Sequence, residues 1–198
     1  MSHFRRRLMM QRKASILPAG YTQLEYIERD ADNQGYIDTG LIMKQSYQMI
    51  LDFMPVQELN KYQGFWGTAL FNFICSTSNK FYLYFFNTKP TAVHSTEVFF
   101  GAWNEVTYNS SLYLNGNRFT NKGTSDDSMS MLLLTSYKYK TNISYTKVSY
   151  FKVSDGDTVL MELIPARRNS DSVVGMYDLV SNNFLTSPSG TIKAGPKV

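Results

Sequence analysis

Apolar and polar residues alternate with a period of two along several short stretches of this chain. The clearest alternation covers residues 47–53 and stops at Pro55. The apolar members of this stretch are Tyr47, Met49, Leu51 and Phe53. Because successive side chains of a β-strand point to opposite faces, the pattern predicts a half-buried strand. Proline has no backbone N–H to donate to a sheet, so Pro55 is expected to end it.

Pairs of apolar runs separated by turn residues predict three β-hairpins. The paired runs are residues 71–75 with 81–86, 111–114 with 117–120, and 143–153 with 158–164. The strongest turn is Asn115-Gly116, because both residues accept the positive φ values of a type I′ turn. Asp155-Gly156 turns the third hairpin, and Pro165 is expected to close its second strand.

The remaining strands predict the fold class. Residues 129–134 form a further strand, and residues 175–196 form two short strands around turn-rich segments. No stretch has a convincing helical period, and 15% of the residues are aromatic, mostly Tyr and Phe, which favour strands. Short strands at this spacing predict an all-β protein, a two-sheet antiparallel β-sandwich.

The charge of the chain is concentrated at its N-terminus. The net charge is +4, but residues 1–13 hold five of the 20 basic residues and none of the 16 acidic ones. The rest of the chain is therefore close to neutral. We expect an extended basic arm, residues 1–16, followed by a single domain, residues 17–198, which is long enough for one sandwich.

Segments at both ends of the predicted domain carry a resemblance to a known family. Residues 17–28 have the sequence LPAGYTQLEYIE and residues 35–40 the sequence GYIDTG, while residues 175–180 and 194–196 have the sequences GMYDLV and AGP. Together they resemble a concanavalin A-like, laminin G-like jelly-roll domain that recurs in tailed phages and prophages of gut bacteria. The resemblance covers nearly everything after residue 16. It implies that the first and last strands meet in one sheet, and that the domain serves in adhesion or decoration.

The residues needed for common hydrolytic chemistry are missing. The chain has two histidines, His3 in the arm and His94 in a polar stretch, so we expect no histidine-based triad and no site with several histidine ligands within one chain. Glycosidases of sandwich folds often use the pattern Glu-x-Asp-x-x-Glu on one strand. Glu28 and Asp30 begin this pattern, but Asn33 replaces its last carboxylate. We therefore expect no enzymatic activity and no cofactor.

Metal binding and disulfide formation are also disfavoured. Asp126-Asp127 and the pair Asp155 and Asp157 lie in predicted loops, where carboxylates can gather around calcium. Aspartates in such loops more often accept hydrogen bonds from the neighbouring backbone, so we expect no metal. The single cysteine, Cys75, lies in an apolar run and is expected to be a buried small side chain.

Aromatic residues are the candidates for ligand binding, because sugar rings stack on aromatic rings while nearby amides and carboxylates bind sugar hydroxyls. The candidate glycan contacts are Trp66, Trp103, Tyr82, Tyr84 and Tyr113. Two further segments depart from the pattern of the resembling family. The loop 29–33 replaces a smaller turn, and the basic segment 166–168 is a candidate second contact surface.

The arm combines guanidinium groups, which pair with acidic groups, and apolar side chains, which fill pockets. The residues expected to anchor the chain to a partner are Phe4, Arg5, Arg6, Arg7, Leu8, Met9, Met10, Arg12 and Lys13. With the resemblance, this predicts a non-enzymatic phage virion protein, a head fibre, decoration or adhesion protein. The arm would bind capsid or another virion protein, and the lectin-like domain would bind host-surface or mucosal glycans.

Several expectations about assembly follow from this hypothesis. The protein would be assembled in the host cytoplasm as a homo-oligomer, with a trimer the first choice by analogy with fibres. No apolar run is long enough for a membrane span or a secretory signal. One alternative is a free carbohydrate-binding, lectin-like module whose arm is incidental. Nucleic-acid binding through the arginines is the weakest alternative, since five charges on an arm beside a near-neutral domain make a small footprint.

Overall fold

The fold is described here from a computed structural model of the chain. The described residues are 16–56, 62–75, 81–86, 91–93 (backbone only), 98, 100–109, 111–119, 123, 125–136 and 144–198. They form seventeen β-strands and no helix, hence no helix that could span a membrane. In chain order the strands are β1 (Tyr21–Gln23), β2 (Ile27–Arg29), β3 (Ile37–Ile42), β4 (Gln48–Pro55), β5 (Gln63–Gly67), β6 (Phe71–Cys75), β7 (Phe81–Phe85), β8 (Thr91–Val93), β9 (Asn104–Asn109), β10 (Ser111–Leu114), β11 (Asn117–Phe119), β12 (Ser130–Leu133), β13 (Thr146–Asp155), β14 (Thr158–Arg168), β15 (Val174–Asp178), β16 (Phe184–Thr186) and β17 (Lys193–Ala194).

The strands form two antiparallel sheets that pack as a sandwich. The larger sheet has 11 strands, with the main order β11-β10-β9-β4-β13-β14-β15-β16. In addition, β1 pairs with β14, and β2 pairs with both β13 and β17. The smaller sheet has six strands in the order β3-β12-β5-β6-β7-β8. The predicted all-β, two-sheet antiparallel sandwich is confirmed.

An aromatic core fills the space between the two sheets. Phe53 of the larger sheet contacts Phe65, Trp66 and Phe73 of the smaller sheet, with ring centroids 5.5 to 6.3 Å apart. All four side chains are completely buried. Aromatic residues of this size contribute much of the apolar area that a sandwich buries on folding. Cys75 is buried in the same cluster, as expected from its apolar surroundings.

Local turn chemistry agrees with the sequence at the β10–β11 hairpin. Asn115 and Gly116 have φ values of 51° and 87°, both in the left-handed region that a type I′ turn requires. The strand predicted over residues 47–53 is present as β4, and it ends at Pro55 as expected. The β6–β7 hairpin and the β13–β14 hairpin are also present.

Two boundary predictions near the C-terminus are wrong. β14 does not stop at Pro165 but continues to Arg168, because Pro165 lies where the strand changes partners. β13 pairs with β14 up to Leu163, and β1 takes over at Ala166. The nitrogen and oxygen of one strand residue point to the same side, so the missing N–H of Pro165 faces this gap. The C-terminal segment also forms three short strands, β15 to β17, where two were expected.

The two ends of the domain meet in the larger sheet, as the resemblance implies. β17 pairs with β2, and an isolated bridge joins Leu24 to Lys197. Gly195 and Pro196 extend the contact through backbone hydrogen bonds to residues 25 and 26. The N-terminal and C-terminal sequence segments therefore hold each other in place.

Candidate functional site

The larger sheet presents a row of paired side chains on its outer face. Met49, Leu51 and Phe53 of β4 point into the core, so the alternate residues of the same strand point outward. Antiparallel pairing places directly opposed residues on one face. The register therefore aligns Arg118, Tyr113, Thr107, Ile50, Lys152 and Glu162, from β11 across to β14.

A second row runs beside the first, one pleat further along the strands. It aligns Ser111, Asn109, Gln48, Ser154 and Val159, from β10 to β14. Apart from Val159, these side chains carry hydroxyl or amide groups and no charge. Apart from Ile50 and Val159, the outer positions in the two rows are polar or tyrosine, whereas the inner positions of β4 are apolar.

The two rows border a cleft with a volume of about 400 Å³. The side chains of Gln48, Thr107, Asn109 and Ser154 line it, together with Ile50 and Lys152. The β13–β14 hairpin closes one end with Gly156 and Asp157. Tyr113, which is half-buried, lies next to the cleft because it is the cross-strand partner of Thr107.

Three of the polar side chains of this cleft are not used to stabilise the fold. Among the described residues, the side chains of Gln48, Thr107 and Ser154 have no hydrogen-bond partner in the protein. An amide or a hydroxyl both donates and accepts hydrogen bonds, as sugar hydroxyls do. The cleft can therefore bind a neutral, hydroxyl-rich ligand without first breaking internal hydrogen bonds.

Three charged groups at the cleft, Lys152, Glu162 and Asp157, together carry a net negative charge. The ammonium of Lys152 lies 3.6 Å from a carboxylate oxygen of Glu162, and both side chains are about one third exposed or less. The hydroxyl of Tyr150 donates a hydrogen bond of 2.7 Å to the other oxygen of Glu162. Asp157 adds a negative charge at the hairpin end. Since Lys152 is already paired, the cleft offers no spare cation to an anionic ligand.

A second cleft, of about 360 Å³, lies between the β14–β15 turn and residues 186–192. Three of its polar side chains, those of Asp171, Ser187 and Thr191, are engaged within the protein, whereas those of Ser172 and Thr186 have no partner among the described residues. Asp171 accepts hydrogen bonds from Arg168, which hold the pKa of this carboxyl below its usual value. Thr191 donates to Asn33, and Ser187 donates to the backbone of Ser189. This cleft is therefore the weaker candidate for a ligand site.

The sequence-predicted aromatic residues lie in separate regions of the sandwich. Trp66 is completely buried among Phe53, Phe71 and Phe73, so no face of its ring is open to a sugar, and the prediction is wrong for this residue. Tyr82 and Tyr84 are half-buried and alternate with the core residues of β7, which places them on the outer face of the smaller sheet.

Trp103 and Tyr113 lie at different places on the larger sheet. The Trp103 ring is 6.1 Å from the ring of Tyr26, just before β9 begins, whereas the cleft lies at the other end of β9. Of the predicted glycan contacts, Tyr113 is the one whose register places it beside the cleft. Gln48, Thr107 and Ser154 were not predicted as site residues. Gln48 lies between apolar residues on a predicted strand, whereas Thr107 lies on β9, for which no strand was predicted, and Ser154 directly follows the predicted run 143–153.

Of the loop aspartates, Asp126 and Asp127 accept hydrogen bonds within the fold, as expected from their sequence context. Asp127 is buried and accepts hydrogen bonds from the hydroxyl of Thr68 and from three backbone N–H groups, those of residues 70, 128 and 129. Asp126 accepts one from the backbone of Gln45. In the part of the chain that the structure describes, no group of three histidine, cysteine or acidic side chains is placed to hold a metal.

The segment that begins the glycosidase-like pattern is likewise structural. The carboxylate of Asp30 accepts hydrogen bonds from Asn33, Asp32 and Lys193. Burial raises the pKa of Asp30, but these hydrogen bonds together outweigh it and lower the pKa below its usual value. The Arg29 side chain is buried and donates to Gln34, and burial lowers its pKa to about 10. These contacts hold the loop against residues 191–193.

The proposed anchoring residues of the arm, Phe4 to Lys13, lie outside the described residues. What the structure describes is the point where the arm joins the domain. Leu17 packs with Tyr150, Ile164 and Tyr177 in a small apolar cluster on the larger sheet. This cluster is separate from the main core between the sheets. Arg168, from the basic segment, lies over the ring of Phe184 beside it and pairs with Asp171.

Comparison with known proteins supports the fold and does not assign a family. No family model matches the sequence, and no curated protein matches it. A similar solved structure is that of a "putative carbohydrate binding protein" from Bacteroides ovatus, with a TM-score of 0.56 and 12% sequence identity. The similarity covers 89% of this chain but 62% of that one, so this chain spans less than two thirds of its length. At this identity the likeness establishes a shared fold.

Proposed function

We propose that this protein is a carbohydrate-binding module, and that the glycan binds in the outer-face cleft of the larger sheet. The observation that carries the proposal is that three hydroxyl and amide side chains, those of Gln48, Thr107 and Ser154, line this cleft without internal partners among the described residues. Gln48, Thr107 and Ser154 are held in register by three neighbouring strands, so their positions do not depend on a loop. A protein of the same fold that is described as a putative carbohydrate binding protein adds support.

We expect each contact with the sugar to be weak, and the contacts together to give specificity. Hydrogen bonds from side-chain amides and hydroxyls fix the orientation of the sugar, and the neighbouring Tyr113 ring offers an apolar face. No catalytic step is part of the proposal. A binding module needs a preformed, polar cleft, and the paired strands supply one.

The test is binding of the full-length chain to an array of glycans, followed by calorimetric titration of the glycans that bind. The double variant Gln48→Ala and Asn109→Ala removes both amides from one row of the cleft. We expect it to bind at least about tenfold more weakly, the equivalent of ~1.4 kcal/mol, because two hydrogen bonds are lost. The matched control is Tyr84→Ala, on the opposite sheet, which should bind normally. Unchanged affinity in the double variant would place the glycan elsewhere.

A role on a phage virion is the second proposal, and it rests on the resemblance and the basic arm. The described structure adds that the chain enters the domain at Leu17, on the larger sheet. Leu17 lies in the small apolar cluster on the larger sheet, and Ile50, which lines the cleft, packs against the same cluster. The arm would therefore enter the domain on the face that carries the cleft.

This second proposal is tested by electron microscopy of particles that carry the full-length chain. Density for residues 1–15 within a pocket of another virion protein is expected. A variant with Arg5, Arg6 and Arg7 replaced by Gln should bind the particles less tightly, since it loses three cations. If the chain is not found on the particles, the virion role fails. If the variant binds the particles as tightly as the natural chain, these arginines do not anchor it.

A further inference from the structure

Resting on the proposed carbohydrate-binding function, we infer that the ligand is a neutral oligosaccharide that lies across the strands, from Tyr113 on β10 to Lys152 on β13. Two independent features carry this inference. One is the direction and length of the polar row, and the other is the internal pairing of the charges at its end.

The length of the row exceeds a single sugar. Tyr113, Thr107, Ile50 and Lys152 are consecutive cross-strand partners. They span three inter-strand spacings, and at about 4.8 Å for each spacing this is about 14 Å. A single sugar ring is shorter than this distance. A monosaccharide can contact the cleft or the Tyr113 ring, whereas an oligosaccharide contacts both.

The direction of the ligand follows from the sheet. Unpartnered polar side chains recur across the strands, at Thr107 on β9, Gln48 on β4 and Ser154 on β13. Along each of these strands every second residue points into the core, so outward groups are further apart in that direction. Thr107 belongs to the first row, whereas Gln48 and Ser154 belong to the second. A linear chain that crosses the strands between the two rows therefore meets one of these groups on each of the three strands.

The charge of the sugar units in the cleft follows from the ion pair at the Lys152 end of the row. At the other end, beside Tyr113, the exposed Arg118 donates to the hydroxyl of Ser111. Lys152 is paired with Glu162, which also accepts the Tyr150 hydroxyl. Binding an acidic sugar at Lys152 would require this pair to be broken, while Asp157 would repel the sugar carboxylate. A neutral sugar can bind without breaking the pair between Lys152 and Glu162.

The arrangement divides the site into two parts. The cleft between Thr107 and Ser154 holds the first sugar units, and Tyr113 stacks against a unit added beyond them. Tyr113 therefore acts as a length sensor, because only longer oligosaccharides reach its ring. A loss of affinity that is confined to longer oligosaccharides would therefore identify the contact with Tyr113, whereas damage to the cleft would lower affinity at every length.

The test is a calorimetric length series with the full-length protein. The probes are neutral linear oligosaccharides of glucose, xylose, mannose and N-acetylglucosamine, from the monosaccharide to the hexasaccharide, and oligogalacturonates as acidic counterparts. We expect affinity to rise with length and then level off. Tyr113→Ala should lower the affinity for the longer probes about tenfold, as expected for the loss of one stacked ring, and leave the shortest binding probe unchanged. Tyr84→Ala is the matched control, because it removes a half-buried tyrosine from the opposite sheet.

Each other outcome overturns a stated part of the inference. Equal loss at every length, or no loss, would exclude Tyr113 as the contact for the added unit while the carbohydrate-binding function stands. Tighter binding of oligogalacturonates than of every neutral probe would overturn the neutral ligand. If none of the probes binds and a broad glycan array is also negative, the carbohydrate-binding function itself fails.

Discussion

Gly195 lies directly against Tyr26, so that the two ends of the domain touch with no room for a side chain between them. A Cβ atom added to Gly195 would lie 2.7 Å from the carbonyl oxygen of Tyr26 and 2.8 Å from its ring. The backbone N–H of Gly195 donates to the same carbonyl at 3.0 Å. This close approach explains why a glycine is needed at position 195.

Gly195→Ala should lower the free energy of unfolding by about 1–3 kcal/mol, the usual cost of an added group in a packed contact. Urea unfolding followed by circular dichroism measures the change. Lys197→Ala is the control, because this exposed residue pairs through its backbone alone and should change stability by less than about 0.5 kcal/mol. Equal stability of the two variants would contradict the tight contact at Tyr26.

The loop aspartates differ in how much they stabilise the sandwich. Asp127→Ala removes an acceptor of four hydrogen bonds and leaves buried donors unpaired, so we expect a loss of about 2–4 kcal/mol. Asp126→Ala removes one hydrogen bond at the surface, to Gln45, and should cost about 0.5–1 kcal/mol. Thermal unfolding of both variants checks the order. Addition of calcium or EDTA should shift neither melting temperature, and a shift would show that a metal competes for these carboxylates.

Asp30 should contribute a stability that depends on pH. Its pKa is lower in the folded protein than in the unfolded chain, so its contribution is present above the unfolded value and is lost as the pH falls through the folded value. At pH 6 we expect Asp30→Ala to be about 1–2 kcal/mol less stable than the natural protein, and this difference should shrink below about pH 4. Urea unfolding between pH 3 and pH 7 measures it.

Asp32→Ala is the control for this pH series. The exposed Asp32 contributes its backbone N–H to Asp30, and that group remains in the variant. Its stability should follow that of the natural protein across the range. A constant difference between the natural protein and Asp30→Ala down to pH 3 would show that the carboxylate charge is not responsible.

Replacing Trp66 should mainly lower stability, whereas replacing Tyr113 should mainly lower the affinity for longer oligosaccharides. Trp66→Ala should lower the free energy of unfolding by about 3–5 kcal/mol, because it empties a large volume in the core. Tyr113→Ala should cost less than about 1 kcal/mol, since the ring is half-buried on the outer face, and it should affect binding of the longer oligosaccharides. Chemical unfolding and calorimetric titration of both variants test the contrast. Loss of binding in a folded Trp66 variant, with Tyr113→Ala unaffected, would reverse the assignment.

The predicted strands were most accurate where the local chemistry is strong. Alternation at residues 47–53 and the Asn115-Gly116 turn are properties of a few neighbouring residues, and both are present as predicted. The predicted end of β14 was wrong because the effect of Pro165 depends on what lies on the side of its nitrogen, where β13 ends and β1 begins. Strand β1 is far away in the sequence.

The candidate site was only partly accessible to sequence reasoning. Large aromatic residues were chosen as glycan contacts because of their chemistry, but burial decides whether a ring can be reached. Trp66 and Tyr113 both precede or follow apolar residues in the sequence, yet one lies in the core and the other on the outer face. The cleft residues Gln48, Thr107 and Ser154 are at least 47 positions apart in the sequence, so no local pattern shows that they share a site.

The class of the fold, the position of most strands and the near-neutral charge of residues 17–198 could be predicted from the sequence. These follow from periodicity, turn residues and composition, which are local or additive properties. Only the tertiary structure decided which strands are neighbours, which aromatic residues are buried and which polar side chains share a cleft. The physical reason is that cross-strand register depends on pairing between distant segments, and this pairing is set by the burial of the whole apolar face.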